Sequence, residues 1–124
     1  MTTHSKENLA GHQFDLHARY ATLSEILTAA LPASGGQRDI LDVGAGTSRL
    51  TEAYLPQGFA CVTRSDVDGF DDPDLVRITP GSPLPFEDGA FDAVVAMDVI
   101  EHVPPAERPW FVRECLRLAR TVAV

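Results

Sequence analysis

The run Asp39-Ile-Leu-Asp-Val43 passes directly into Gly44-Ala-Gly46, and this junction constrains the chain more than any other feature. A short, nearly continuous apolar run is the mark of a strand covered on both faces, which occurs in parallel sheets flanked by helices. The glycines at its end permit a tight bend and a close approach of the main chain to another group. The rest of the chain alternates in the same way. Apolar residues recur at helical spacing from about His12 to Leu31 (Phe14, Leu16, Tyr20, Leu23, Ile26, Leu27, Leu31), and Pro32 with Ser34-Gly35-Gly36 ends that helix. Strands are predicted at Asp39–Val43, Phe59–Ser65, Leu75–Thr79, Phe91–Met97 and Thr121–Val124. Thr47 or Ser48 can cap a helix through about Leu55, with Glu52 in its first turns, and Pro56-Gln-Gly58 breaks it. Pro105 to Ala119 is amphipathic, with Trp110, Phe111, Cys115, Leu116 and Leu118 available for burial.

Strands alternating with helices imply an α/β fold with a Rossmann-like, doubly wound parallel sheet. Right-handed crossovers favour a doubly wound order, with the N-terminal helix as a flank or lid. The link from Asp66 to Asp74 contains a Gly and a Pro and reads as a turn or loop rather than a helix. Residues 1–11 read as a disordered lead-in to a single domain over 12–124.

The 124 residues suffice for one domain. No apolar run approaches the roughly 20 residues of a membrane helix, and the opening MTTHSKENLAGHQ lacks the apolar region of a secretory signal, so a cytoplasmic protein without membrane insertion is expected. The net charge of −8 argues against nucleic acid as a partner, because phosphate neutralisation needs a basic face. In the acidic run 66–74, Asp71, Asp72 and Asp74 read as a solvated turn and Asp68 as a turn or cap residue, whereas Asp66 stands apart. Cys61 and Cys115 lie inside apolar patterns and read as buried free thiols; no Cys or His spacing suggests a metal.

A glycine turn between a strand and a helix suits a nucleotide or nucleoside cofactor. A dinucleotide fingerprint would place a third glycine where Arg49 stands, and a phosphate-binding P-loop would need a lysine that this turn lacks. Asp66, 20 residues beyond Gly46 at the end of the second strand, can accept hydrogen bonds from ribose hydroxyls, as an acidic residue at this spacing does in dinucleotide folds.

Ile40-Leu-Asp-Val-Gly-Ala-Gly-Thr47 resembles the first motif of class I, Rossmann-like methyltransferases dependent on S-adenosylmethionine (SAM), which carry an acidic-x-Gly-x-Gly pattern; Ser48 stands where the family often has another glycine. Leu84-Pro-Phe86 followed by Asp88-Gly-Ala-Phe-Asp92 is similar to the methyltransferase type 11 branch, and Met97-Asp-Val-Ile-Glu-His-Val103 resembles the segment that follows the fourth strand in many family members. The resemblance covers about residues 39–124 and implies the strand order 3-2-1-4-5. It implies SAM as cofactor, S-adenosylhomocysteine as product, and a small-molecule methyl acceptor. It implies cofactor contacts from Asp42, Gly44, Ala45 and Gly46, from Asp66 to the ribose with Val67 beside it, from Ser82, and from Met97 and Asp98 beside the methionine part. Relatives usually carry an acidic residue shortly before Leu-Pro-Phe; here Pro80-Gly-Ser82 occupies that place, so adenine recognition falls to backbone groups, Ser82 or packing. Glu101 and His102 read as turn-setting residues rather than an acid–base pair, and no catalytic residue is singled out. Because the family continues past the fifth strand, the chain is expected to be a fragment or a domain completed by a partner or a second copy, with self-association through the unpaired edge of the last strand. The alternatives are a non-catalytic SAM-binding module and, disfavoured by Arg49, a nicotinamide-binding protein.

Overall fold

The computed structural model describes residues 3–32 and 36–124, with side chains from residue 15 onward. Of the predicted helix-ending cluster, Ser34 and Gly35 lie outside the described residues. Among the described residues, three α-helices and five strands follow in the order α1 (Thr3–Ala30), β1 (Arg38–Val43), α2 (Leu50–Ala53), β2 (Ala60–Asp66), β3 (Val76–Arg77), β4 (Phe91–Val95), α3 (Arg108–Leu118) and β5 (Ala119–Ala123). The sheet has the order β3-β2-β1-β4-β5, and every pairing is parallel, as expected from the sequence.

The pleat of β1 sorts the core into two layers. Ile40 points with Ala93 and Val95 toward Leu23, Leu27 and Leu31 of α1 and Leu55 after α2. Leu41 and Val43 point the other way with Val94, toward Phe111, Cys115 and Leu118 of α3. Both faces of β1 are thus covered, which is why its sequence is apolar without alternation.

The elements differ from expectation at their ends. α1 begins at Thr3 rather than about His12 and takes in part of the stretch read as disordered, 1–11. The polar opening of this helix carries no apolar periodicity to reveal it, although residues such as Lys6, Glu7 and Ala10 favour helix. α2 is a four-residue helix instead of one reaching Leu55. Two 3-10 turns, Ile100–His102 and Pro105–Glu107, precede α3, which starts at Arg108. β3 is reduced to Val76 and Arg77, and the connection before it, Val67–Leu75, contains no helix. Cys115 is buried, and burial pushes its thiol up to about 11; Cys61, expected to be buried, is exposed. Its register partner is Asp39, one step from Ile40, so it lies on the α3 side of the sheet. There, no helix between β2 and β3 covers it.

Leu27 is fully buried between α1 and the sheet, whereas Leu116 on the outer side of α3 is 58% exposed. Leu27→Ala is expected to cost about 2–5 kcal/mol in urea denaturation, and Leu116→Ala less than about 0.5 kcal/mol.

Candidate functional site

The glycine turn is bound directly to the end of β2. Gly44 and Gly46 adopt φ of +72° and +57°, a region that residues with a Cβ rarely enter. This bend aims the Gly44 and Ala45 amides at the Ser65 carbonyl, at 2.8 and 3.1 Å. The Gly46 amide donates to Oδ2 of Asp66 at 2.8 Å. Oδ1 of Asp66 accepts from the Val67 amide at 2.7 Å and, over a long 3.4 Å, from that of Asp68. A carboxylate has about four acceptor positions, so capacity for further donors remains on Asp66.

Asp66 opens into a cavity of about 400 Å³, within the range of roughly 300–1,000 Å³ typical of small-molecule sites. It lies outside the C-terminal ends of β1, β2 and β4, where strand order reverses and open parallel sheets take their ligands. Of the expected site residues, Gly44, Asp66, Val67, Ser82 and Asp98 line it. Asp42, Ala45, Gly46 and Met97 are not among the lining residues. Ala45 and Gly46 belong to the turn above; Met97 packs against the cluster under α1. Asp42 turns toward α2, where Oδ2 accepts a hydrogen bond from the Thr51 hydroxyl at 2.9 Å, so it supports the turn from beneath.

The opposite wall comes from α3 and the segment before β4. Trp110 and Phe111, read from the sequence as core, line the cavity with Leu84 and Val99; helical spacing identified their buried face without revealing that part of it fronts a cleft. Glu114 and Arg117 fix this wall. Arg117 donates to both oxygens of Glu114, at 2.8 and 2.9 Å, and to the carbonyls of Leu84 and Phe86. Glu114 in turn accepts from the Leu84 amide, and the Arg117 hydrogen bonds hold its carboxyl below the usual range. The Leu-Pro-Phe segment is thereby clamped to α3, which places Ser82 and Leu84 at the cleft.

Two expectations from the sequence are corrected. Thr47 and Ser48 do not begin a full helix: α2 has no side-chain cap at Arg49, and Ser48 Oγ accepts the Leu50 amide at 3.2 Å. Four residues sum to little macrodipole, so the turn's polarity comes from individual amides. Asp72 is not a solvated turn residue. It forms a 2.6 Å ion pair with Arg64, whose side chain is 4% exposed, and the Arg64 hydrogen bond draws its carboxyl below the usual range. Arg64 also donates to the Gly46 carbonyl at 3.2 Å. Neither residue carries a sequence signal for this pairing, which forms only when the β2–β3 loop folds back on the strand.

At the mouth, Arg19 of α1 pairs with Asp98, which adopts φ +57°; the N-terminal helix therefore flanks the cleft, as expected. His102 lines the cavity, lies 3.7 Å from Glu101 and is 80% exposed. Arg108 donates to the Val103 and Glu101 carbonyls, in keeping with a turn-setting role for this segment.

The methyltransferase domain family profile matches residues 41–122. An uncharacterised methyltransferase of Mycobacterium sp. (strain KMS) is 30% identical over 113 aligned residues, covering 81% of this chain and 42% of the relative. The chain thus spans less than half the length of that curated relative. Among solved structures, 1,6-didemethyltoxoflavin-N1-methyltransferase of Burkholderia thailandensis, with 1,6-didemethyltoxoflavin and S-adenosylhomocysteine bound, superposes with a TM-score of 0.60 at 18% identity, covering 82% of this chain and 46% of that one. The cyclase SpnF superposes with a TM-score of 0.58 at 24% identity, covering 80% and 40%. These likenesses establish the fold; a transferase and a cyclase sharing it illustrate that fold alone does not assign a reaction.

A Cβ on Gly44 would sit 2.6 Å from Cγ2 of Val99, whereas one on Gly46 would meet nothing nearer than Asp66 Oδ2 at 3.9 Å. Gly44→Ala is expected to cost about 2–4 kcal/mol from strain and overlap, and Gly46→Ala about 1 kcal/mol from backbone strain alone. Equal losses in chemical denaturation would contradict this account of the turn. Asp42 generates a pH prediction. Burial is the largest influence and pushes its carboxyl up to about 6 from 3.8, opposed by the Thr51 hydrogen bond and Arg64. A raised folded value means that stability is lost as pH climbs from about 4 through 6. Asp42→Asn should therefore be more stable than the parent at pH 8, by up to about 3 kcal/mol, with the gain vanishing below about pH 4. Thermal melts across that range would reveal a pH-independent difference if the assignment were wrong.

Proposed function

This chain belongs to the methyltransferase domain family, and we propose that its residues 12–124 form a domain that binds SAM in the cleft and serves methyl transfer to a small-molecule acceptor. The observation that carries this reading is the Gly46 amide bound to Asp66 beside a cavity of about 400 Å³. In this reading the Asp66 carboxylate accepts the two ribose hydroxyls, a strong, oriented contact because the acceptor is charged. Val67, Ser82 and the main chain of Thr79 to Ser82 meet the adenine in place of an acidic side chain. The backbone of Gly44, Ala45 and Gly46 and the residues Met97 and Asp98 take the methionine part, with Asp42 supporting the turn through Thr51.

Bound SAM supplies an already activated methyl group on a sulfonium centre. The chain's own task is to orient and to exclude water, and the apolar walls formed by Val43, Leu84, Val99 and Phe111 support that task. Among the described residues no helix is long and apolar enough to cross a membrane. A cytoplasmic setting belongs to the proposal and is supported by two cysteines that remain free. Self-association through the outer edge of β5 belongs to it as well, supported by β5 pairing, among the described residues, with β4 on one side.

Calorimetric titration with SAM, S-adenosylhomocysteine and NAD tests the reading. Both adenosyl ligands are expected to bind and NAD not to bind. Asp66→Ala should weaken adenosyl binding roughly 10- to 100-fold, the loss of charged hydrogen bonds. Equal affinity in a folded Asp66→Ala protein, or binding of NAD alone, would overturn the proposal.

A further inference from the structure

Consecutive parallel strands are normally joined by a crossover of about a dozen residues or more, usually a helix that packs on the sheet. Between β2 and β3 this chain has only Val67–Leu75, without a helix. The loop nevertheless abuts the cleft, because Val67 lines the cavity, and Phe70 and Asp71 both hold positive φ. Packing anchors this segment at its end, where Leu75 is buried, but holds its middle weakly: Val67 and Phe70 are each 48% exposed. What reaches it from the interior is Arg64. From near the C-terminal end of β2, its Nη2 binds Asp72 Oδ2 at 2.6 Å within the loop, and its Nη1 binds the Gly46 carbonyl at 3.2 Å on the glycine turn. Its register partner on β1 is Asp42, whose carboxyl Arg64 draws down against the larger effect of burial. A guanidinium so deeply buried would be costly unless paired in this way.

We propose that Arg64 is a positioning residue for the adenosyl site. One rigid fork fixes the glycine turn and the β2–β3 loop on either side of Asp66, in place of the absent crossover helix. The ligand side of this inference rests on the SAM reading above; the positioning side does not. Lysine cannot substitute fully, because it is a single point charge rather than a planar fork of donors.

The test measures two properties of the full chain: amide hydrogen exchange in the free protein and the affinity for S-adenosylhomocysteine. In Arg64→Met the Gly46 amide should exchange roughly tenfold faster while amides of α3 keep their protection, and affinity should fall about tenfold. Arg64→Lys should fall between parent and Met in both. Asp72→Asn, which leaves Arg64 and its bond to Gly46 in place, should give a smaller change in the same direction, and it decides the matter if Arg64→Met does not fold. Gly46 exchange unchanged in the folded variants, or accelerated equally at Gly46 and in α3, would overturn the proposal. If the parent chain bound no S-adenosylhomocysteine, the SAM reading would fail, and the exchange data alone would still decide the role of Arg64.

Discussion

The hydrogen bond from the Gly46 amide to the Asp66 carboxylate, at 2.8 Å, is the contact on which the cleft depends. It joins two segments 20 residues apart, and it forms only because β1 and β2 are parallel neighbours whose C-terminal ends are level: Val43 pairs with Ser65. The two amides donated to the Ser65 carbonyl bring the glycine turn to that height. The turn in turn requires backbone angles accessible to glycine, and at Gly44 also the absence of a Cβ against Val99. Sequence, register and site geometry are therefore one chain of causes.

The remaining elements hold that junction from two sides. Beneath the sheet, α1 supplies the apolar layer of Leu23, Leu27 and Leu31, and Asp42 supports the turn through Thr51 at the expense of a buried carboxylate. Above it, α3 supplies Phe111 and Cys115 to the core. Through Arg117 and Glu114, α3 also holds the segment that contributes Ser82 and Leu84 to the cleft. The cavity lies between a polar edge, set by Asp66 and the turn, and an apolar wall set by α3. That asymmetry suits a ligand with one hydroxylated and one aromatic part.

Much of the architecture was legible because burial writes periodicity into sequence. The two-sided burial of β1 and β4 gave continuous apolar runs, and the parallel, doubly wound class followed from the alternation of elements, whereas the strand order came with the family resemblance. Asp66 was legible through its spacing from the glycines. What escaped were features that leave no periodic trace. The polar start of α1 carries no apolar periodicity in its sequence, and the two 3-10 turns before α3 are too short to show a period. Asp42 sits next to the glycines in sequence, yet the pleat sends it to the α2 side; its hydrogen bond to Thr51 could not be read from spacing. Met97 follows the same logic, one position from a residue that does line the cleft. Cys61 occupies an apolar pattern on a part of the sheet that lacks a covering helix, so the pattern overstated its burial. Arg64 and Asp72 were each ordinary in sequence, and their pairing became visible only once the loop between β2 and β3 was folded back on the strand.

The most direct test of the account is a structure of this chain with S-adenosylhomocysteine bound. The account predicts both ribose hydroxyls within about 2.5–3.0 Å of the Asp66 carboxylate oxygens, with the purine against Val67 and Ser82 and the Gly46 amide still donating to Asp66. A ligand seated on the α1 side of the sheet, or an Asp66 side chain turned away from the nucleoside, would contradict it.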